Sequence, residues 1–114
     1  MTTTEPLTWP DFEKVDIRTG TVIAAEPFPQ ARKPAYKLTI DFGALGTKRT
    51  SAQLTKLYQA DELIGRQVVA VVNFPPKRIA SFMSECLILG AIDDDGTVTL
   101  LQPDRLTANG LRVS

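Results

Sequence analysis

The chain offers few side chains for covalent, acid–base or metal chemistry. Its 114 residues include no histidine and a single cysteine, Cys86. The missing histidine excludes Ser-His-Asp and Cys-His nucleophiles and histidine-containing zinc sites, and one cysteine forms neither an internal disulfide nor a Cys-x-x-Cys site. Paired carboxylates, a glycine-rich phosphate loop and a lysine-activating cluster are also missing at any motif spacing. We therefore predict a binding protein that is not an enzyme and needs neither cofactor nor metal.

Three acidic or thiol positions still need an interpretation. Cys86 lies in an apolar segment, which predicts a buried structural thiol. Asp93–Asp95 resembles half a calcium loop but lacks its ligand spacing and terminal glutamate, so we predict an acidic hairpin turn. Glu85 begins an apolar strand, where a carboxylate usually has a partner or faces a site. It either receives a ligand's amine or hydroxyl or pairs with a base such as Arg49, Lys77 or Arg78.

The basic residues are unevenly distributed along a chain with 13 acidic and 13 basic residues. Residues 1–31 carry a net charge of −3, residues 32–56 carry +5, and residues 57–114 carry −2. The basic middle third indicates either a local face that attracts anions or an ordinary solvated strand surface with lysines.

A hydrophobic period of two, rather than 3.6, predicts strands. Residues 35–43 alternate most clearly, and Gly20 within 17–26 predicts a bulge or tight bend. The other predicted strands are 47–53, 97–101, 111–113 and the near-continuous apolar, well-buried segments 67–73 and 85–92, with short helical turns over 54–64. A helix between the third and fourth strands predicts an all-β OB-fold, a five-stranded Greek-key barrel. An SH3-like barrel is the alternative, but it would not normally carry that helix.

Two loops of such a barrel mix proline, aromatic and basic residues. The OB-fold binds oligomers on strands two and three and on the loops joining strands one to two and four to five. These loops are residues 27–34 and 74–84. Phe74, Phe82 and Met83 offer apolar contact, unless the aromatic residues fold back to close the barrel end. Asn73 either ties down the second loop's backbone or points into a cleft.

Four segments resemble, in order, the tRNA-binding OB domain family: Asp16–Val22, Lys37–Gly43, Val71–Arg78 and Ser84–Gly90. The resemblance covers roughly residues 11–110. The Asn73–Arg78 loop and Ser51–Gln53 are similar to an export-related chaperone branch of the family. Ser51–Gln53 stands where the tRNA-binding relatives usually have Ser-Gly-Leu, and Cys86-Leu87 stands where they usually have Gly-Met.

The resemblance implies a homodimeric OB barrel that binds its ligand around the loop between the fourth and fifth strands. The chaperone branch implies unfolded or precursor polypeptide as ligand and export machinery as partner, and the tRNA-binding branch implies tRNA on the same surface. The candidate binding residues are Lys48, Arg49, Ser51, Asn73, Phe74, Pro75, Lys77, Arg78, Phe82, Met83, Ser84 and Glu85.

Two functions follow as hypotheses. The first is a molecular chaperone for protein export with an apolar, basic-rimmed cleft, and the second is a structure-specific tRNA-binding protein. Neutral charge and a pI near 6.2 favour the chaperone, because a dedicated RNA binder is usually basic.

The ends of the chain are expected to make the dimer. We predict one domain over residues 1–114, with the barrel at about 13–102 and both extensions at the interface. Trp9 and Phe12 lie outside the barrel strands and either cap the barrel or face another subunit. The predicted interface residues are Trp9, Phe12, Leu106, Leu111 and Val113. Neither a signal peptide nor an apolar run of about 20 residues is visible, so we expect a cytoplasmic protein without stable membrane insertion.

Overall fold

One long strand organises the sheet of the computed structural model, which describes residues 5–114. The elements are α1 (Trp9–Glu13), β1 (Ile17–Pro27), β2 (Tyr36–Asp41), a 3-10 turn (Gly43–Leu45), β3 (Thr47–Ala52), α2 (Ala60–Leu63), β4 (Gln67–Val71), β5 (Lys77–Ile79), β6 (Phe82–Ser84), β7 (Leu87–Ile88), β8 (Gly90–Ile92), β9 (Val98–Leu100) and β10 (Arg112–Val113). The long strand is β1, which pairs with β4 along its first half and with β2 along its second half. The sheet order is β3-β2-β1-β4-β7, and β10 also pairs with β1.

The barrel interior is filled by the alternating apolar side chains that the sequence predicts. Leu38 and Ile40 of β2 are buried, and Phe42 continues the same row. Leu63 of α2 closes one end of this core, and Val68 of β4 completes it. Burial of these side chains supplies the main stabilising free energy, roughly 1.5–3 kcal/mol for each.

Gly20 is required by the close packing of β1 against β2. A Cβ atom at this position would lie 2.6 Å from Ile40 Cγ2 and 2.8 Å from the Phe42 ring. The predicted bulge at Gly20 is wrong: the register of β1 against β2 shifts between Val22 and Ala24 instead. The close approach of β1 to the β2 side chains leaves no room for a side chain at position 20.

The predicted short helical turns over 54–64 are confirmed: the Tyr58 N–H donates to the Leu54 carbonyl at 3.1 Å in a first turn, and a second turn follows. Helix α2 covers Ala60–Leu63 and begins with a reciprocal capping arrangement in which the Glu62 carboxylate accepts a hydrogen bond from the Gln59 N–H. Gly65 has φ +91°, the left-handed conformation that ends the segment.

The predicted well-buried strand over 85–92 is wrong, because the segment divides at Leu89. The Leu89 N–H donates to the Val69 carbonyl, whereas the Leu89 carbonyl accepts from the Leu101 N–H. The chain therefore leaves β4 after β7 and pairs β8 with β9 as a separate hairpin. Ile92, at the end of β8, is 75% exposed.

The predicted loop over 74–84 contains a second hairpin, β5–β6, in which Ile79 faces Phe82. Phe82 packs against Phe28 with ring centroids 5.3 Å apart, and Ala35 completes this small second core. The two predicted binding loops are therefore joined by an apolar cluster of their own.

Both ends of the described chain pack beside the start of β1. The Arg112 guanidinium donates to the Glu13 carbonyl, and the Gly110 N–H donates to the Thr19 carbonyl at 2.7 Å. Thr8 caps α1 by accepting from the Asp11 N–H. No helix within residues 5–114 has the length and apolar character needed to cross a membrane.

Candidate functional site

A cleft of about 280 Å³ lies beside the β5–β6 hairpin and brings together four of the predicted binding residues. Its lining consists of Phe74, Pro75, Lys77, Ser84, Cys86 and Leu87. Phe74 and Leu87 are exposed apolar walls, and Lys77 supplies a positive charge at the rim. We call this feature the loop cleft.

The barrel closes next to the loop cleft through hydrogen bonds between β3 and residues 84–86, a contact that we call the seam. The Glu85 N–H donates to the Arg49 carbonyl at 2.7 Å, and the Arg49 N–H donates to Glu85 Oε1 at 2.9 Å. Thr50 Oγ1 donates to the Cys86 carbonyl at 2.7 Å. Of the two interpretations of Glu85, the structure supports a structural partner, but that partner is the Arg49 backbone and not a basic side chain.

Arg49 and Lys37 form a cationic face over the small second core. The Arg49 guanidinium lies 4.5 Å from the Phe82 ring centroid, and the Lys37 ammonium lies 4.9 Å from the Phe28 centroid and 5.5 Å from that of Phe82. Cation–π contacts of this kind hold long basic side chains in place. Sequence reasoning missed Lys37 as a site residue, although its alternation with Leu38 places it on the outer face of β2.

Phe82 does not line the loop cleft as we predicted. Its side chain is 4% exposed and packs under Lys37 and Arg49, so the alternative in which this aromatic residue closes the barrel end describes it. Met83 faces the other way along β6 and is exposed opposite Arg78. The Arg78 Nε donates to the Ala80 carbonyl at 3.0 Å, which holds the exposed guanidinium at the hairpin turn.

Two further predicted residues, Asn73 and Lys48, do not line the loop cleft. The Asn73 amide spans the connection from α1 to β1, because its Oδ1 accepts from the Asp16 N–H at 3.0 Å and its Nδ2 donates to the Lys14 carbonyl at 2.6 Å. Asn73 thus ties down backbone, one of its two predicted roles. Lys48 precedes Arg49 on β3, and successive strand residues point to opposite faces, so it does not join the cationic face.

A second apolar surface is formed by α1 and β10. Trp9, Phe12 and Val113 line a shallow cavity of about 580 Å³ together with Glu13, Arg112 and Ser114. Trp9 is 82% exposed. Three of the five predicted interface residues therefore meet here, and we call this surface the terminal groove. Leu106 and Leu111 are exposed but do not line it.

Cys86 and Asp95 are explained by their local surroundings. Burial raises the pKa of the Cys86 thiol to about 11, which keeps the thiol neutral and unreactive. Asp95 accepts a hydrogen bond from the Thr97 N–H, and this bond lowers the pKa of its carboxyl, in keeping with the predicted acidic turn. Residues 5–114 contain no cluster of three acidic or thiol side chains arranged to hold a metal ion.

A nearly closed sheet of short antiparallel strands, with α2 between β3 and β4, defines an OB-fold. Residues 17–112 match the family model described as "Putative tRNA binding domain". The chain belongs to this family, as its sequence motifs indicate.

Solved structures with this fold include chaperones. Chaperone CsaA from Bacillus anthracis is 53% identical, with a TM-score of 0.92 over 96% of this chain and 100% of that one. The CsaA chaperone protein from Picrophilus torridus is 51% identical, with a TM-score of 0.89 over the same shares of the two chains. These similarities confirm the predicted fold and the predicted resemblance to the chaperone branch.

A curated relative is a much longer protein. The methionine–tRNA ligase of Porphyromonas gingivalis is 38% identical over 109 residues, which are 96% of this chain and 16% of the ligase. The chain therefore spans about one sixth of the length of that relative, and the shared part is a tRNA-binding-type domain.

Proposed function

We propose that this protein is a homodimeric molecular chaperone for protein export, which holds unfolded or precursor polypeptides in the loop cleft. The observation that carries the proposal is the chemistry of that cleft: exposed apolar walls at Phe74 and Leu87, with Lys77 at the rim. Apolar walls take up the side chains of an unfolded segment, and the basic rim favours acidic stretches of it. The resemblance to CsaA chaperones over nearly the whole chain supports this assignment. In this proposal the protein acts in the cytoplasm and its partner is the export machinery.

The second candidate function is tRNA binding, and a specific observation favours it. Lys37 of β2 and Arg49 of β3 are held over the aromatic pair formed by Phe28 and Phe82. Strands two and three are the strands with which OB-folds bind nucleic acid. Phosphate contacts would come from this cationic face, and the match to part of a methionine–tRNA ligase supports the same idea.

Salt dependence separates the two functions. The same preparation is titrated with carboxymethylated α-lactalbumin, a permanently unfolded polypeptide, and with bulk tRNA, at ~50 and ~200 mM salt. Phosphate-driven binding falls by orders of magnitude over this range, whereas apolar binding changes little. We expect salt-tolerant polypeptide binding; tight, steeply salt-dependent tRNA binding with no polypeptide binding would refute the chaperone proposal.

Removing the positive charges of the hairpin tests the loop cleft directly. Lys77 and Arg78 are exposed and make no ion pair within residues 5–114, so the double alanine variant should weaken polypeptide binding about tenfold while the melting temperature hardly changes. The matched control replaces Lys14 and Arg105, two exposed bases elsewhere, and should bind as the unmodified protein does. Equal affinities of both double variants would exclude the hairpin charges from binding.

The terminal groove is the proposed dimer interface. A Trp9→Asp substitution introduces a charge into its most exposed aromatic position, so light scattering should give the mass of a monomer. Leu106→Asp is the comparison, because Leu106 is equally exposed but lies outside the groove. If Leu106→Asp dissociates the dimer and Trp9→Asp does not, the interface lies around Leu106 and not in the terminal groove.

A further inference from the structure

A second depression, of about 460 Å³, lies next to the loop cleft, between the end of β3 and the segment that contains β7 and β8. It is lined by residues 51–54 on one side and by residues 87–90, Ile92 and Val98 on the other. Its volume is within the range of ligand pockets, roughly 300–1,000 Å³. Leu87 lines both this depression and the loop cleft, so one side chain forms a wall of each. We call the second depression the seam groove.

The lining of the seam groove is mostly apolar and partly open to solvent. Leu54 belongs to the buried barrel core, and Val98 packs against that core from β9. Leu87 and Ile92 are exposed instead. Covering these two side chains with an apolar side chain of a ligand removes apolar surface from water on both partners, which is favourable.

An acidic turn adjoins one end of the seam groove. Ile92 and Val98 are the last residue pair of the β8–β9 hairpin, and both line the groove. Residues 93–97, which connect them, begin with three successive aspartates, Asp93–Asp95. All three aspartates are exposed. The hairpin therefore places three carboxylates directly beside the apolar lining.

The turn keeps most of its negative charge available to a ligand. The Asp95 carboxylate accepts from the Thr97 N–H, and the Lys56 ammonium contacts the Asp95 carbonyl. Within residues 5–114 the Asp94 carboxylate forms no ion pair. Three carboxylates and one ammonium leave a net charge of −2 at this end of the groove. A basic side chain is the complement of such a charge.

We propose that the seam groove is a second polypeptide-binding subsite, which takes apolar side chains of an unfolded segment that has a basic residue next to them. This inference rests on the proposed chaperone function and adds a second class of segment to it. The loop cleft, with Lys77 at its rim, favours acidic neighbours, whereas the seam groove favours basic ones. Only side chains enter the groove, so β3 and β7 keep their separation.

Two adjacent subsites of opposite charge preference suit long unfolded chains. A chain that carries an apolar segment with acidic neighbours and another with basic neighbours occupies both subsites at once. The second contact is then intramolecular, which raises the overall affinity without any new contact.

Two capped seven-residue peptides test the charge preference. One has the sequence lysine, leucine, serine, valine, serine, leucine and lysine, and the other has aspartate in place of both lysines. Identical residues at the two ends make the test independent of the direction in which the peptide lies. Calorimetric titration at ~20 mM salt keeps the screening of exposed charges low.

Each peptide should respond to a different variant. Asp94→Lys should weaken binding of the lysine peptide about fivefold, because an attraction between exposed charges becomes a repulsion, and the double alanine variant of Lys77 and Arg78 should not weaken it. The aspartate peptide should lose about fivefold in the double alanine variant and should not lose affinity in Asp94→Lys.

Matched variants separate the groove from general effects of charge and apolar surface. Asp104→Lys makes the same charge change at an exposed aspartate that lines neither depression, and it should bind the lysine peptide as the unmodified protein does. Ile92→Ser should weaken that peptide at least about fivefold, because the complex covers the side chain. Ile64→Ser, at an exposed position outside the groove, should not weaken it.

The outcomes distinguish the subsite from the function on which it rests. Equal losses with Asp94→Lys and Asp104→Lys would overturn the charge preference of the turn, and unchanged affinity of Ile92→Ser would overturn the seam groove as a subsite. If the aspartate peptide and carboxymethylated α-lactalbumin still bind in either case, the proposed chaperone function stands. If α-lactalbumin and both peptides fail to bind the unmodified protein, that function fails as well.

Discussion

Replacing Thr50 by valine tests whether hydrogen bonding, and not packing alone, closes the barrel. Thr50 is 1% exposed, and its hydroxyl donates to the Cys86 carbonyl at 2.7 Å and lies 3.1 Å from the Ser84 hydroxyl. Valine keeps the size, branching and strand preference of threonine but leaves that buried carbonyl without its donor. An unsatisfied buried polar group costs about 1–3 kcal/mol, so we expect the free energy of unfolding to fall by about 2 kcal/mol.

The expected change is large enough to measure by urea and thermal unfolding. An unfolding entropy of about 2.1 cal/mol/K per residue gives roughly 0.24 kcal/mol/K for this chain, so a loss of about 2 kcal/mol lowers the melting temperature by about 8 °C. The variants are compared at one protein concentration, because dimerisation would make the melting temperature depend on it.

Thr39→Val is the matched control for Thr50→Val. Thr39 lies opposite Arg49 on β2, is half-buried, and its hydroxyl makes no hydrogen bond within the described residues. This control should change the free energy of unfolding by less than about 0.5 kcal/mol. Equal effects of the two substitutions would mean that the Thr50 hydroxyl contributes nothing to closing the seam.

Two further predictions concern backbone conformation and alkaline pH. Gly110→Ala should destabilise the protein by more than about 2 kcal/mol in urea unfolding, because φ is +85° and a Cβ would lie 2.4 Å from the Phe42 carbonyl oxygen. The control is Gly65→Ala: Gly65 follows helix α2 with φ +91° and open space around it, so this substitution should cost only about 1–2 kcal/mol. Equal costs of the two substitutions would exclude the clash. Burial raises the pKa of the Cys86 thiol to about 11, so the stability that the buried neutral thiol contributes is complete below its ordinary pKa near 9 and is lost as the pH rises through 11. Between pH 8 and pH 11 the melting temperature should therefore fall more steeply for the unmodified protein than for Cys86→Ala. Parallel declines of the two melting temperatures would contradict the raised pKa.

The parts of the fold that the sequence predicts well are those where local pattern and burial agree. Residues 36–42 alternate strictly, and the structure uses that alternation to fill the barrel with Leu38, Ile40 and Phe42. The segment 85–92 is apolar after Glu85, and such a run indicates a buried strand but does not indicate which neighbouring strand it pairs with. At Leu89 the hydrogen-bonding partner changes from β4 to the segment that contains Leu101. This change depends on tertiary contacts, and no local sequence pattern predicts it.

For the candidate site, the sequence predicts which residues lie near one another better than it predicts their burial and contacts. The two loops were identified from their position in an OB-fold, and Phe74, Pro75, Lys77 and Ser84 do meet in one cleft. Phe74 and Phe82 lie in the same kind of loop sequence, yet Phe82 is buried and Phe74 is exposed. The difference arises because Ile79 and Phe82 pair across the hairpin and both turn inward toward Phe28. That pairing depends on a hairpin turn at Ala80, which has φ 53°. The sequence does not predict this turn, because non-glycine residues rarely adopt a positive φ.

The close packing at Gly20 has a consequence for how this protein can acquire new ligands. Because even a methyl group at position 20 would collide with Ile40 and Phe42, the barrel interior beside Gly20 has no room for a small molecule. Selection for a different ligand must therefore act on the outside, at the hairpin, the seam and the two termini, where substitutions leave the interior unchanged. A mutagenesis library confined to those exterior positions should retain a high fraction of folded members while sampling most of the binding specificities open to this barrel.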